Sequence, residues 1–252
     1  KDILPADIKS IPIKEDRAAA VFNFVKKNYT WNKESTLYTE EGIRNLLEKK
    51  IGNSAEINLL VVMLLRSADI EANPIVLSTK ERGLLTAYSP SITSLNYVVG
   101  SALINKKMIV FDATSKFSQP NVLPLRAYNY VGYELTKDKA VRVNLFPEKK
   151  SQTKLIVDAN LNIDGTFEGN FKDIDTNLYA LMAGESYESD QTAYEKEYKE
   201  NYKFPFTNIK SELLNNGEFQ TSFNFNCDNF ADGLGGKLVF NPLLFLYRKT
   251  HD

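Results

Sequence analysis

The segment from Ile57 to Ala68 constrains this chain more than any other. Ile57, Leu60, Val61, Leu64, Leu65 and Ala68 recur at i, i+3, i+4 spacing, and Leu59, Val62 and Met63 make the remaining sides apolar as well. That period marks a helix, and a helix apolar almost all round has to be covered on most sides. The neighbouring sequence supplies the cover. Residues 14–29 read as a second helix with Val21, Phe22, Val25 and Tyr29 on one face. Its Glu15 and Asp16 at the start and Lys26 and Lys27 near the end suit the helix dipole. A shorter helix near 40–50 turns Ile43, Leu46 and Leu47 inward. The pattern then changes to short β-branched runs, Asn73–Thr79, Tyr97–Ile104 and Lys107–Thr114. The last two are joined by Asn105-Lys106, which reads as a two-residue hairpin loop, and the first two by a Ser-, Thr-, Gly- and Pro-containing loop, Lys80–Leu95. Helices followed by an antiparallel sheet give an α+β class rather than alternating α/β.

A Pro- and Lys-rich stretch, Phe146–Thr153, reads as a linker, so two domains are expected, 1–148 and 149–252. Beyond it the period is two. Leu155, Val157, Ala159, Leu161 and Ile163 point one way, Asp158, Asn160 and Asn162 the other. Asp164-Gly165 and Asn216-Gly217 are turn signals. Phe219, Thr221, Phe223, Phe225 and Cys227 alternate with Gln220, Ser222, Asn224 and Asn226. Between these strands a mostly polar stretch, Asn177–Tyr202, reads as a helical insertion, with Glu195–Glu200 as a solvated face. Lys237–Phe240 reads as a strand, Asn241-Pro242 as a turn into an apolar Leu243–Tyr247. The second domain is thus expected to be cut short, and the start at Lys1, without a signal-peptide pattern, reads as a trimmed or processed end.

Charge excludes some functions. The chain has 31 Lys+Arg against 32 Asp+Glu, which leaves no basic footprint for nucleic acid. No apolar run approaches the ~20 residues of a membrane span. The one Cys, Cys227, lies on the apolar phase of its strand and reads as a core thiol. The one His is the penultimate His251, so a His base would have to be terminal. No Cys/His cluster has zinc spacing, no Gly-rich phosphate loop occurs, and Asp228–Gly233 fits no EF-hand, so neither metal nor cofactor is expected.

Gly52-Asn53-Ser54 places a hydroxyl at the start of the apolar helix, where backbone N–H groups favour developing negative charge. It reads either as a nucleophile with an oxyanion site or as an ordinary N-cap, with Glu56 in a capping role. Asp112 reads either as a site carboxylate or as a strand-end turn residue paired with Thr114. A two-residue hairpin loop sets Ile104 opposite Lys107 and Val99 opposite Asp112. Tyr97 then shares a face with Asp112, diagonally, within reach of a phenol–carboxylate hydrogen bond.

Gly52-Asn53-Ser54, the apolar helix, Leu64–Ile70, Ile75–Thr79, Leu95–Val99, Val110–Thr114 and Leu123–Arg126 together resemble, over residues 10–135, the transglutaminase-like domain of Gram-negative bacterial envelope proteins. The resemblance implies a papain-like core, with a Cys nucleophile at a helix N-terminus and His and Asp on two following strands, then an antiparallel β domain. Here the Cys position is Ser54 and the His position Tyr97; only the Asp is kept, as Asp112. A Ser hydroxyl needs an adjacent base. Tyr, with a pKa of about 10, is neutral at pH 7, and Asn96 is no base. The expectation is a catalytically degenerate module of a larger envelope protein, periplasmic, secreted or cell-surface. Peptide, protein or cell-wall glycan would be held in a vestigial cleft bordered by Lys80–Leu95, with Asn53 and Asn96 as candidate binding residues. Two alternatives stand beside it: a hydrolase using Ser54 with Tyr97 and Asp112 as supports, and a binding function in the C-terminal β domain.

Overall fold

The change from a 3.6-residue to a two-residue period divides the chain into units of different construction, Lys1–Lys150 and Ser151–Asp252. The computed structural model describes residues 3–85, 92–202, 205–228 and 231–240. His251, the Leu243–Tyr247 run and the middle of the Lys80–Leu95 loop lie outside the described residues.

The first unit runs α1 (Ala6–Lys9), α2 (Lys14–Asn28), β1 (Thr30–Trp31), α3 (Gly42–Lys49), β2 (Ile51–Gly52) and α4 (Ser54–Ser67). Five strands follow: β3 (Ala72–Leu77), β4 (Tyr97–Ile104), β5 (Lys107–Phe111), β6 (Val131–Leu135) and β7 (Ala140–Asn144). They form one antiparallel sheet in the order β5-β4-β3-β6-β7, and β1 and β2 form a separate parallel pair. α4 is the pivot, as its pattern requires. Ile57, Leu60, Val61 and Leu65 are fully buried, in a cluster with Val21, Phe22 and Val25 of α2 and Ala102, Ile104 and Phe111 of the sheet. Each such side chain contributes about 1.5–3 kcal/mol by leaving water. Gly100 lets α4 lie close to β4, since a Cβ there would meet Val62 Cγ2 at 3.3 Å. The cover is incomplete at Met63, which is 46% exposed, so one flank of the helix faces solvent. On the other face of the sheet Ile75, Leu77, Tyr97 and Val99 pack with Leu123, Ala127 and Leu145.

The β4–β5 hairpin has the expected register, Ile104 opposite Lys107, with Asn105 and Lys106 both at positive φ as a type I′ turn requires. The ladder stops at Gly100 opposite Phe111, short of the expected Thr114. Asp112 ends it: its carboxylate accepts the Thr114 N–H at 3.0 Å, a local turn that competes with strand pairing.

The second unit consists of β8 (Thr153–Leu161), β9 (Phe167–Asp175), α5 (Asn177–Ser189), α6 (Gln191–Asn201), β10 (Phe206–Leu213), β11 (Phe219–Cys227), β12 (Asp232–Leu234) and β13 (Lys237–Val239). Its main sheet is antiparallel in the order β10-β11-β9-β8, and β12–β13 is a separate hairpin. Three expectations need correction. Ile163 is 95% exposed, because β8 ends at Leu161 and residue 163 belongs to the loop. The helical insertion is two helices, because the Asp190 carboxylate caps α6 at the Ala193 N–H, 2.9 Å away. The stretch Glu195–Glu200 is not all solvated: Tyr198 is buried and donates to Asp173 Oδ2 at 3.0 Å. Tyr202 packs on Phe171 with ring centroids 4.9 Å apart, and Phe171 stacks on Phe223 at 4.6 Å. Cys227 is buried at the end of β11, and burial with the nearby Asp228 pushes its thiol up to about 11. Among the described residues no helix is long and apolar enough to cross a membrane.

Candidate functional site

The start of α4 is built by a capping box. Asn53 Oδ1 accepts the Glu56 N–H at 2.9 Å, and Glu56 Oε2 accepts the Asn53 N–H at 3.0 Å. The second oxygen of Glu56 accepts the N–H groups of Glu41 and Gly42, each at 3.1 Å, at the start of α3. Gly52 is required beside it, since a Cβ there would lie 2.7 Å from Glu56 Oε2. Asn53 Nδ2 donates to the Tyr38 carbonyl at 3.0 Å, so the side chain fixes two segments at once.

Ser54 is the first residue of α4 and fully buried. Its hydroxyl donates to the Thr36 carbonyl at 3.2 Å and accepts the Thr36 N–H at 3.0 Å. Its own N–H donates to the Glu34 carbonyl at 3.0 Å. Both hydrogen-bonding roles of the hydroxyl are therefore spent on one backbone residue.

Tyr97 and Asp112 are brought together. The fully buried Tyr97 hydroxyl donates to Asp112 Oδ2 at 2.9 Å, lies 3.0 Å from Thr114 Oγ1, and accepts from Arg126 Nε at 3.2 Å. Asp112 Oδ1 accepts from Asn58 Nδ2 at 3.1 Å and from the Thr114 hydroxyl at 2.6 Å. Asn58, the polar interruption in the apolar helix, also donates to the Val98 carbonyl and accepts the Ala113 N–H. Arg126 Nη2 donates to Thr114 Oγ1 at 2.6 Å, and its guanidinium lies 4.2 Å from the centre of the Trp31 ring. Burial pushes the Tyr97 hydroxyl well above the ordinary range; the Asp112 charge pushes the same way, and Arg126 opposes. The phenol is thus held as a neutral donor, the wrong state for removing a proton from anything near it.

Asn96 is a strut: Oδ1 accepts the Thr79 N–H at 2.8 Å and Nδ2 donates to the Thr79 hydroxyl at 3.0 Å. Arg126, Asn58, Thr36 and Trp31 were given no role by sequence reasoning. Asn58 carried a signal, a lone carboxamide in an apolar run. Arg126 lies inside the Leu123–Arg126 stretch, but nothing local in the sequence ties it to Tyr97. Among the described residues no group of three or more His, Cys, Asp or Glu is placed to hold a metal ion.

Residues 6–94 match the model of the transglutaminase-like superfamily core, a stretch that includes Ser54 and ends before Tyr97 and Asp112. No curated protein matches the sequence. A solved structure of a candidate protease from Parabacteroides distasonis aligns with 92% of this chain at 8% identity and a TM-score of 0.40. This chain spans 48% of that one, about half its length. Across residues 6–94, then, the first unit is similar to the transglutaminase-like superfamily.

Proposed function

We propose that the first unit is a transglutaminase-like module that no longer carries out acyl transfer and serves as a binding or scaffold part of a larger cell-envelope protein. One observation carries this reading: the Ser54 hydroxyl is bonded in both directions to Thr36, while the group at the expected base position, Tyr97, is a buried neutral phenol. Loss of a general base alone costs roughly 10²–10⁴ in rate. Asn58 donates to Asp112, and Arg126 donates to the Tyr97 and Thr114 hydroxyls that in turn donate to Asp112, as a structural network requires. Asn53 and Asn96 support binding indirectly, by fixing the backbone at Tyr38 and Thr79. The envelope location rests on the resemblance to envelope proteins.

The test is to incubate the chain and its Ser54→Ala variant with a fluorophosphonate and an activated acyl ester, then to locate adducts by peptide mass spectrometry. No adduct at Ser54 is expected. A Ser54 adduct absent from the variant would replace this reading with a serine hydrolase.

A further inference from the structure

Strand β7 is an edge of the five-stranded sheet, paired among the described residues with β6 alone. The Thr136 N–H bonds to the Lys139 carbonyl and the Leu145 N–H to the Tyr130 carbonyl. By antiparallel alternation, Val141 and Val143 direct their N–H and C=O groups at β6. Ala140, Arg142 and Asn144 direct theirs outward, and among the described residues no strand pairs with them. A cavity of about 440 Å³ opens at the start of this edge. Val76, Tyr133, Leu135 and Ala140 form its sheet wall, and Tyr38 and Leu95 also line it. Among the described residues its lining carries no charged side chain, and Tyr38 and Leu135 are 67% and 39% exposed. A volume of this size with an apolar lining is within the range of ligand sites, and apolar surface of this kind left in water marks an interaction site.

We propose that β7 and this cavity form a docking site for an extended segment of a partner protein, which adds antiparallel to β7 and places one apolar side chain in the cavity. The register defines the segment. A residue directly opposite Ala140 shares its face, the face that lines the cavity. The residue two positions earlier in the partner then lies opposite Arg142, which is exposed on the same face. Charge complementarity makes that residue acidic, so the segment reads acidic, any residue, apolar. Paired through the residues of β7 alone, a second copy of this chain does not fit. Antiparallel β7–β7 pairing centred on Arg142 sets two arginines opposite each other and Asn144 over the cavity. Centred on Val141, it sets Arg142 there. Neither supplies an apolar side chain. The proposal rests on reading the first unit as a binding module, and gives that role a place.

The probe is a fluorescein-labelled peptide, Thr-Thr-Glu-Thr-Phe-Thr-Thr, titrated against the full chain by anisotropy. Binding is expected to be lost when its Phe is replaced by Ser or when Leu135→Asp puts a charge at the cavity. Arg142→Glu weakens it by about fivefold or more, and a peptide with Lys in place of Glu restores it. In amide NMR, bound peptide shifts the outward N–H groups of Ala140, Arg142 and Asn144 more than those of Val141 and Val143. No binding, binding indifferent to the Phe, or a chain dimer that Arg142→Glu dissociates would overturn the proposal. A Ser54 adduct alongside intact peptide binding would overturn the reading as an inert module and leave the docking site standing. Lost binding without an adduct would do the reverse.

Discussion

Replacing Tyr97 by Phe keeps the buried ring and removes only the hydroxyl. That hydroxyl serves two charged partners, Asp112 Oδ2 at 2.9 Å and Arg126 Nε at 3.2 Å. Hydrogen bonds to charged groups contribute about 1.5–3 kcal/mol each, and a buried group left without its partner bears the desolvation cost. Two such losses, reduced by local relaxation, come to about 3 kcal/mol. Trp31 is the only tryptophan in the chain and lies against Arg126, so its fluorescence reports unfolding of the first unit separately from the second. With a urea m-value of about 2 kcal/mol/M, the midpoint should fall by about 1.5 M at unchanged slope. A fall of less than about 0.5 M at unchanged slope would refute the argument, because the hydroxyl would then not be holding its two charged neighbours.

Asn53→Ala removes both the cap of α4 and the bond to the Tyr38 carbonyl. It should cost about 2 kcal/mol in the same titration, with Asn53→Asp recovering part by keeping the cap acceptor. Lys26 is held at about 8 by burial, against an ordinary 10.5. Between those values the unfolded chain keeps a proton that the folded chain has released, so this group's contribution to stability rises with pH through that window. The stability advantage expected for Lys26→Met at pH 7 should therefore shrink towards pH 10 in paired urea curves; an advantage constant with pH would refute it. Cys227, at about 11, holds about one thiolate in a thousand at pH 8, against about one in four for a free thiol. Its reaction with a disulfide reagent should be more than about a hundredfold slower than that of a free thiol and should accelerate above pH 10.

Elements with a sustained period were legible. α4, the β4–β5 hairpin and β11 follow from spacing alone, because the residues of each record which sides are buried. β1 and β2 are two residues each, too short to show any period, β6 and β7 alternate over only five residues each, and β10 lacks strict alternation in its apolar residues. The Tyr97–Asp112 contact followed from hairpin arithmetic, because the connection is local. The partner that occupies Ser54 did not: Thr36 is 18 residues away in a loop whose path no pattern fixes. Arg126 reaches Tyr97 across 29 residues, and that too depends on how the chain returns over the sheet.

The two oxygens of Glu56 have a consequence for how the first unit opens. One carboxylate receives N–H groups from the starts of two helices, Glu41 and Gly42 at α3 and Asn53 at α4. Fraying of either start strands an oxygen that the other cannot satisfy. The two helix ends therefore behave as one cooperative unit. Hydrogen exchange at Gly42 and Asn53 should proceed through a shared opening, and Glu56→Gln, which turns a donor towards one of them, should separate the two rates.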